Sequence, residues 1–290
     1  MHYNPPVTEE EYFRRTNTNS LEIEQKVVPL FTRQKQSRPI LVGSSVYCHI
    51  DGRHFLVTAA HVVTRSASLL IPSSPDGLDY IPTGYFAVSR SEEVDIAVAQ
   101  LDGELPSYVP IHFPEILNID SAADIPARLI VAGFPSNAVK ATASTVKAEI
   151  ARILTTRAVA LPPQLRQNEL EFSIAADFDR TDILSWTKPR TTFPKPQGMS
   201  GGGLFWMHES GLTEQRPCLL VGILSESYES PKPIMIGTKI KFALAIMRDR
   251  YGASLPGNIV RDVSARKGKG ARSKSRTTDS PGDWNKDVTS

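Results

Sequence analysis

Apolar residues along this chain come in short runs broken by Pro, Gly, Asp and Ser, the spacing of strands rather than of long helices. Pro39–Ile50 reads as one or two strands, Asp51-Gly52 as a hairpin turn, and His54–Thr58 as the returning arm. Further strand-like runs are Ser68–Ile71, Tyr85–Val88 and Asp95–Leu101, then Ala127–Gly133, Val146–Ile153, Arg157–Ala160 and Glu169–Ala175. Leu204–Met207, Pro217–Glu226 and Pro233–Gly237 complete the series. One stretch has helical spacing: Ile240, Ala243, Leu244, Met247 and Tyr251 predict a helix over Thr238–Tyr251, ended by Gly252. Near the start, Ser20 could cap a short helix that carries Ile23 and Val27 on one face and that Pro29 interrupts. Residues 1–36 are expected to be an N-terminal extension.

Composition fits this picture. The chain has 290 residues, 40% hydrophobic and 22% charged, and its 22 prolines against 18 glycines favour many turns. Apolar runs such as Leu129–Ala132 are strand length, too short for a membrane-spanning helix. The polar start, with Glu9-Glu10-Glu11, lacks the pattern of a secretory signal, so no membrane association is expected. Cys48 and Cys218 are the only cysteines; they predict two reduced, buried thiols and a cytoplasmic protein. The formal charge of +2 is uneven: residues 261–290 hold eight Lys/Arg against four Asp, which leaves the remainder near −2. Residues 256–290 read as a disordered basic tail. Nucleic acid is not expected as a partner, because Trp284 is the tail's only aromatic residue.

Candidate chemistry gathers at three places. Pro196-Gln197-Gly198-Met199-Ser200-Gly201-Gly202-Gly203 sets one serine among glycines just before a strand. Such a run is either a solvated turn or a nucleophile with free amides around it. His61 follows a strand in Thr58-Ala59-Ala60-His61, with His49 and His54 on the preceding hairpin as its nearest competitors. Asp95 opens the apolar run Ile96–Ala99. Gly198-Met199-Ser200-Gly201-Gly202 also satisfies the Gly-x-Ser-x-Gly elbow of α/β-hydrolases. That fold needs an acid and then a histidine after the serine, and only His208 follows Ser200, too soon.

The order His61, Asp95, Ser200 and the residues around each resemble the trypsin-like (chymotrypsin-fold) serine peptidases over about residues 37–252. The resemblance implies an all-β fold of two six-stranded antiparallel β-barrels with a C-terminal helix. Barrel one would span about 37–120, barrel two about 127–237 and the helix 238–251, within a domain ending near 255. It implies a serine endopeptidase with His61 as base, Asp95 as its orienting carboxylate and Ser200 as nucleophile. The oxyanion hole falls to the amides of Gly198 and Ser200. Pro194, Ser225, Glu226 and Ser227 would line the substrate pocket, and Pro194 at its base suggests a small or apolar P1 residue. No metal or cofactor is implied; the partners are a protein or peptide substrate and, for control inside a cell, a possible activating protein.

Met199 replaces the aspartate that zymogen-type members carry before the serine, and Val62 stands where a disulfide partner usually follows the histidine. These departures resemble disulfide-free intracellular members, including the HtrA-like branch, although too few residues follow position 252 for a PDZ domain. The alternative function is a catalytically inactive trypsin-like module that binds peptides or protein partners.

Overall fold

In a computed structural model, the structure describes residues 22–33, 38–66, 68–74, 77–89, 91, 93–118, 129–141, 146–148, 150–154, 158–159, 171–178, 195–206, 218–228 and 233–255. The first half of the chain supplies eight strands: β1 (Val27–Thr32), β2 (Ile40–Ile50), β3 (Arg53–Thr58), β4 (Ser68–Ser74), β5 (Gly77–Pro82), β6 (Phe86–Val88), β7 (Ala97–Leu101) and β8 (Ile111–His112). A five-residue helix, α1 (Ala60–Thr64), follows β3. The strands form one sheet in the order β5-β4-β1-β2-β3-β7-β6, antiparallel throughout except that β8 runs parallel to β2. Asp51 and Gly52 have φ of 52° and 70°, the two positive values that a tight two-residue hairpin needs, and they close β2 onto β3.

The second half contributes β9 (Leu129–Gly133), the separate hairpin β10 (Val139–Ala141) and β11 (Val146–Ala148), then β12 (Ala151–Leu154), β13 (Ala158–Val159), β14 (Ser173–Asp177), β15 (Gly203–Trp206), β16 (Leu219–Tyr228) and β17 (Ile234–Lys239). Its sheet runs β12-β9-β15-β16-β17-β14-β13, again antiparallel. Helix α2 (Lys241–Tyr251) closes the described fold.

Strand alternation explains why the apolar runs are nearly continuous. Along β9, Leu129 and Val131 enter the interior of the second sheet, whereas Ile130 and Ala132 join a cluster shared by both halves. In β2, Tyr47 faces the interior of the first sheet while its neighbours Val46 and Cys48 face the shared cluster. Both faces of these strands are therefore buried, and each half has its own core plus a common seam. Burying one large apolar side chain in such a core contributes about 1.5–3 kcal/mol.

Helix α2 follows the second sheet yet locks onto the first. Ala243, Leu244 and Met247 are buried in the shared cluster. The Tyr251 hydroxyl bonds the carbonyls of Tyr85 and Val98 at 2.8 and 2.9 Å, and Arg53 donates to the Tyr251 carbonyl. Gly252, at φ 67°, ends the helix as expected.

The two-barrel, all-β architecture with a C-terminal helix holds, but several boundaries move. The sheets have eight and seven strands rather than six each, because β1 and the two-residue strand β8 join the first and the two-residue strand β13 joins the second. The first sheet starts ten residues before position 37: β1 is almost entirely buried and pairs along β2. Pro29 therefore sits inside a strand; paired at its position with Ser44, it breaks no helix. Helix α2 begins at Lys241, since Thr238 and Lys239 are still paired to Ile223 and Gly222. The run Val146–Ile153 divides between β11 and β12. The tail beyond 255 lies outside the described residues. Among the described residues no helix is long and apolar enough to cross a membrane.

Cys48 and Cys218 are free and buried. Burial, and next the nearby Glu115 carboxylate, pushes the Cys48 thiol up to about 12 despite Lys26; burial pushes Cys218 to about 12 as well, against Lys26 and with help from Glu22. Neither forms thiolate at neutral pH. The native protein should therefore resist alkylation by iodoacetamide at both positions and take up two equivalents once unfolded in guanidinium, as read by intact mass.

Candidate active site

The loop before β15 is shaped by two glycines. Gly198 has φ 93°, and a Cβ there would come within 2.7 Å of Leu41 Cδ2 and 2.8 Å of the Phe134 carbonyl oxygen. Gly201 has φ 86° and leaves no room for a side chain, with the Ser44 carbonyl oxygen 2.0 Å from a Cβ position. The Met199 N–H donates to the Pro196 carbonyl at 3.0 Å, closing a turn with Gly198 at its third position. The Ser136 N–H holds the Gln197 carbonyl at 2.7 Å. In a planar trans peptide the N–H points opposite the C=O, so fixing Gln197 C=O outward turns the Gly198 N–H the other way. Among the described residues neither the Gly198 N–H nor the Ser200 N–H has an acceptor, while Met199, Gly201 and Gly202 all donate within the fold. Two unpaired amides on one loop, flanking the paired Met199 amide, can receive an oxyanion.

A strand delivers His61. Thr58 ends β3, and α1 starts at Ala60, so the imidazole projects from the first turn. Its Nδ1 lies 2.6 Å from Asp95 Oδ2, and its backbone N–H donates to Asp95 Oδ1 at 2.9 Å. Both Asp95 oxygens are thus engaged by one residue, which fixes the ring and leaves Nε2 as the nitrogen available for proton transfer. Burial acts to raise the Asp95 pKa, but the side-chain bond to His61, its charge and the backbone N–H bonds from His61 and Ala60 outweigh burial and hold it below the usual carboxylate range. Asp95 lies in the loop just before β7, not in the strand itself, and its carbonyl accepts from Thr238 Oγ1 at 3.3 Å.

The Ser200 hydroxyl donates to the Ser225 carbonyl at 3.2 Å; among the described residues it makes no bond to His61. Ser225 is free to accept because the ladder between β16 and β17 skips it, with a register shift between Leu224 and Glu226. Its own hydroxyl is spent on the Ile236 carbonyl at 3.0 Å.

A cleft of about 600 Å³ opens beside this group, lined by His61, Asp95, Ser225, Glu226 and Ser227, with Arg65 also on its wall. Five of the expected triad and pocket-wall positions, His61, Asp95, Ser225, Glu226 and Ser227, therefore line one cleft, and Ser200 joins them through its bond to the Ser225 carbonyl. Pro194 lies outside the described residues. His49 and His54, the competing histidines, pair with each other on the β2–β3 hairpin and take no part in the site. Burial first, then the neighbouring His49 and His112, lowers the His54 pKa against the pull of Glu104.

Three contributors were not singled out from sequence. Ser44 donates its N–H to the Ser200 carbonyl at 2.7 Å and its hydroxyl to the Gly198 carbonyl at 3.0 Å, and that hydroxyl accepts the Phe134 N–H at 2.9 Å. Ser136 fixes the Gln197 peptide, and Thr58 Oγ1 bonds the Ser44 carbonyl at 2.7 Å. The signal for Ser44 and Thr58 was polar residues at fully buried strand positions.

No protein-family model and no curated protein sequence matches the chain. Among solved structures it is similar to the MamO protease domain of Magnetospirillum magneticum in its apo form, at 14% identity over 79% of this chain and 98% of that one, TM-score 0.46. The HtrA-type protease AlgW with a tripeptide is 17% identical over 82% of this chain, which spans 64% of that chain, TM-score 0.49. Neuropsin, a serine protease of mouse brain, is 15% identical over 78% of this chain and 95% of that one, TM-score 0.45. Two curled antiparallel sheets sharing one seam, with a C-terminal helix returning to the first, give this chain the double-barrel fold of the trypsin-like serine peptidases.

Proposed function

We propose that the chain is a serine-type endopeptidase. The observation that carries this reading is the Gly198–Ser200 loop with two unpaired amides, set in a fold where His61 is doubly bound to Asp95. In the reaction, Ser200 turns from the Ser225 carbonyl toward His61 Nε2. His61 takes the hydroxyl proton as Ser200 Oγ attacks the peptide carbonyl, and the Gly198 and Ser200 amides receive the resulting oxyanion. His61 then protonates the departing amine, leaving an acyl-enzyme on Ser200. Water, deprotonated by His61, releases the acid and restores the serine. Asp95 holds the imidazole tautomer and stabilises its charged form.

The Ser200–Ser225 bond favours a second reading, a peptide-binding module whose serine is not engaged by the base. A fluorophosphonate probe separates the two. An endopeptidase takes up the probe at Ser200 by phosphonylation with loss of fluoride; labelling disappears in Ser200→Ala and falls sharply in His61→Ala. A native protein that stays unlabelled, alone and with candidate activating partners, supports the binding module instead.

Asp95→Asn is expected to leave the fold intact and to lower kcat by about 10⁴, because the amide presents the wrong partner to Nδ1. The same variant carries a pH signature. A carboxyl whose folded pKa is depressed adds stability that is complete above its unfolded value of about 3.9 and vanishes as pH falls through the folded value. The wild type should therefore be more stable than Asp95→Asn in denaturant melts at neutral pH, and the gap should close in acid. A gap that widens as pH falls is the contrary outcome.

A further inference from the structure

Three histidines stand in one row across neighbouring strands, away from the catalytic group. His54 on β3 is paired with His49 on β2, and His49 is in turn in register with His112 on β8. The His49 and His54 ring centroids lie 4.6 Å apart, and those of His49 and His112 5.3 Å apart at a near-perpendicular 84°. His54 is tied back by its Nδ1, 2.6 Å from the Tyr47 hydroxyl, so its ring forms a fixed wall against His49. His49 and His112 bring their Nδ1 atoms to 3.4 Å in a solvent-exposed contact. Two neutral imidazoles can meet this way only if one donates and the other accepts. A second chemistry has the same dimension. In a tetrahedral zinc site with Zn–N bonds near 2.05 Å, neighbouring ligand nitrogens are about 3.3–3.4 Å apart.

We propose that His49 and His112 form a two-ligand site for a borderline divalent cation of the zinc, nickel or copper type, bound through both Nδ1 atoms. Imidazole nitrogen suits these ions, and water fills the remaining positions. Among the described residues no three His, Cys, Asp or Glu side chains converge on one point, so the site is open and its ion exchangeable. Binding needs both rings to carry their proton on Nε2; one ring changes tautomer and no net proton is released. His54 acts as a positioning residue that limits the swing of His49. The site has a structural consequence as well. β8 is only two residues long and meets β2 through the one parallel pairing in its sheet, so a bound ion would clamp residues that are 63 positions apart.

Zinc chloride titrated into the full chain in a non-chelating buffer at neutral pH, followed by calorimetry, tests this. One equivalent should bind, with a raised melting temperature that EDTA reverses. His49→Gln and His112→Gln should each weaken binding at least about tenfold. His61→Gln should bind as the wild type does, because the catalytic imidazole is a separate zinc candidate. Unchanged binding in either hairpin-side variant, loss of binding in His61→Gln, or no binding at millimolar zinc overturns the proposal. Nitrogen-15 spectra of the wild-type protein cover the case in which a variant misfolds: zinc should shift Nδ1 of two histidines, neither of them the one missing in His61→Gln, and a shift confined to His61 refutes the site.

Discussion

The Ser44 hydrogen bonds hold the two halves of this protein in register at the candidate site. From the middle of β2, one residue gives its N–H to the Ser200 carbonyl, its hydroxyl to the Gly198 carbonyl, and accepts the Phe134 N–H. The first sheet thereby fixes a loop that belongs to the second. Thr58, at the end of the neighbouring strand, bonds the Ser44 carbonyl, and His61 follows three residues later. His61 and the serine loop are thus positioned by adjacent strands of one sheet, although 139 residues separate His61 from Ser200 in sequence. Buried hydroxyls are costly unless paired, and here every pairing also sets geometry at the site.

This seam accounts for the division of labour in the loop. The carbonyls of Gln197, Gly198 and Ser200 are all occupied by donors, from Ser136 and from Ser44. With the carbonyls drawn to one side, the amides of Gly198 and Ser200 are left for whatever enters the cleft. The arrangement is preorganised: no backbone bond has to break before an oxyanion can be received. The Ser200 side chain is the part that must still move, since its hydroxyl rests on the Ser225 carbonyl. That carbonyl is available only because the bulge at Ser225 removes it from the sheet ladder.

Much of this was legible in the chain. The residues singled out from the chain include His61 and Asp95, which the fold bonds together, and the glycines that shape the loop at Ser200, while the Asp51-Gly52 turn and Gly252 helix stop obey local backbone rules. The elements missed were those decided by tertiary partners. Val27–Thr32 contains a proline and follows a charged stretch, yet it becomes a buried strand because β2 and β4 flank it on both sides. Lys26 looks like a surface residue but is buried, with its ammonium paired to Glu115. The two-residue strand β8 has too little pattern of its own to be read at all. Ser44 and Thr58 were visible as residue types, but their partners come from the far half of the chain, and no local rule supplies those.

The central claim is that Ser200 forms an acyl bond with the help of the base and the amide pair. Rapid mixing with a peptide p-nitrophenyl ester measures that most directly. The expected result is a burst of one nitrophenol per protein and, on acid quench, an intact mass increased by one acyl group that maps to Ser200. Absence of both burst and adduct, or the same adduct in Ser200→Ala, would contradict it.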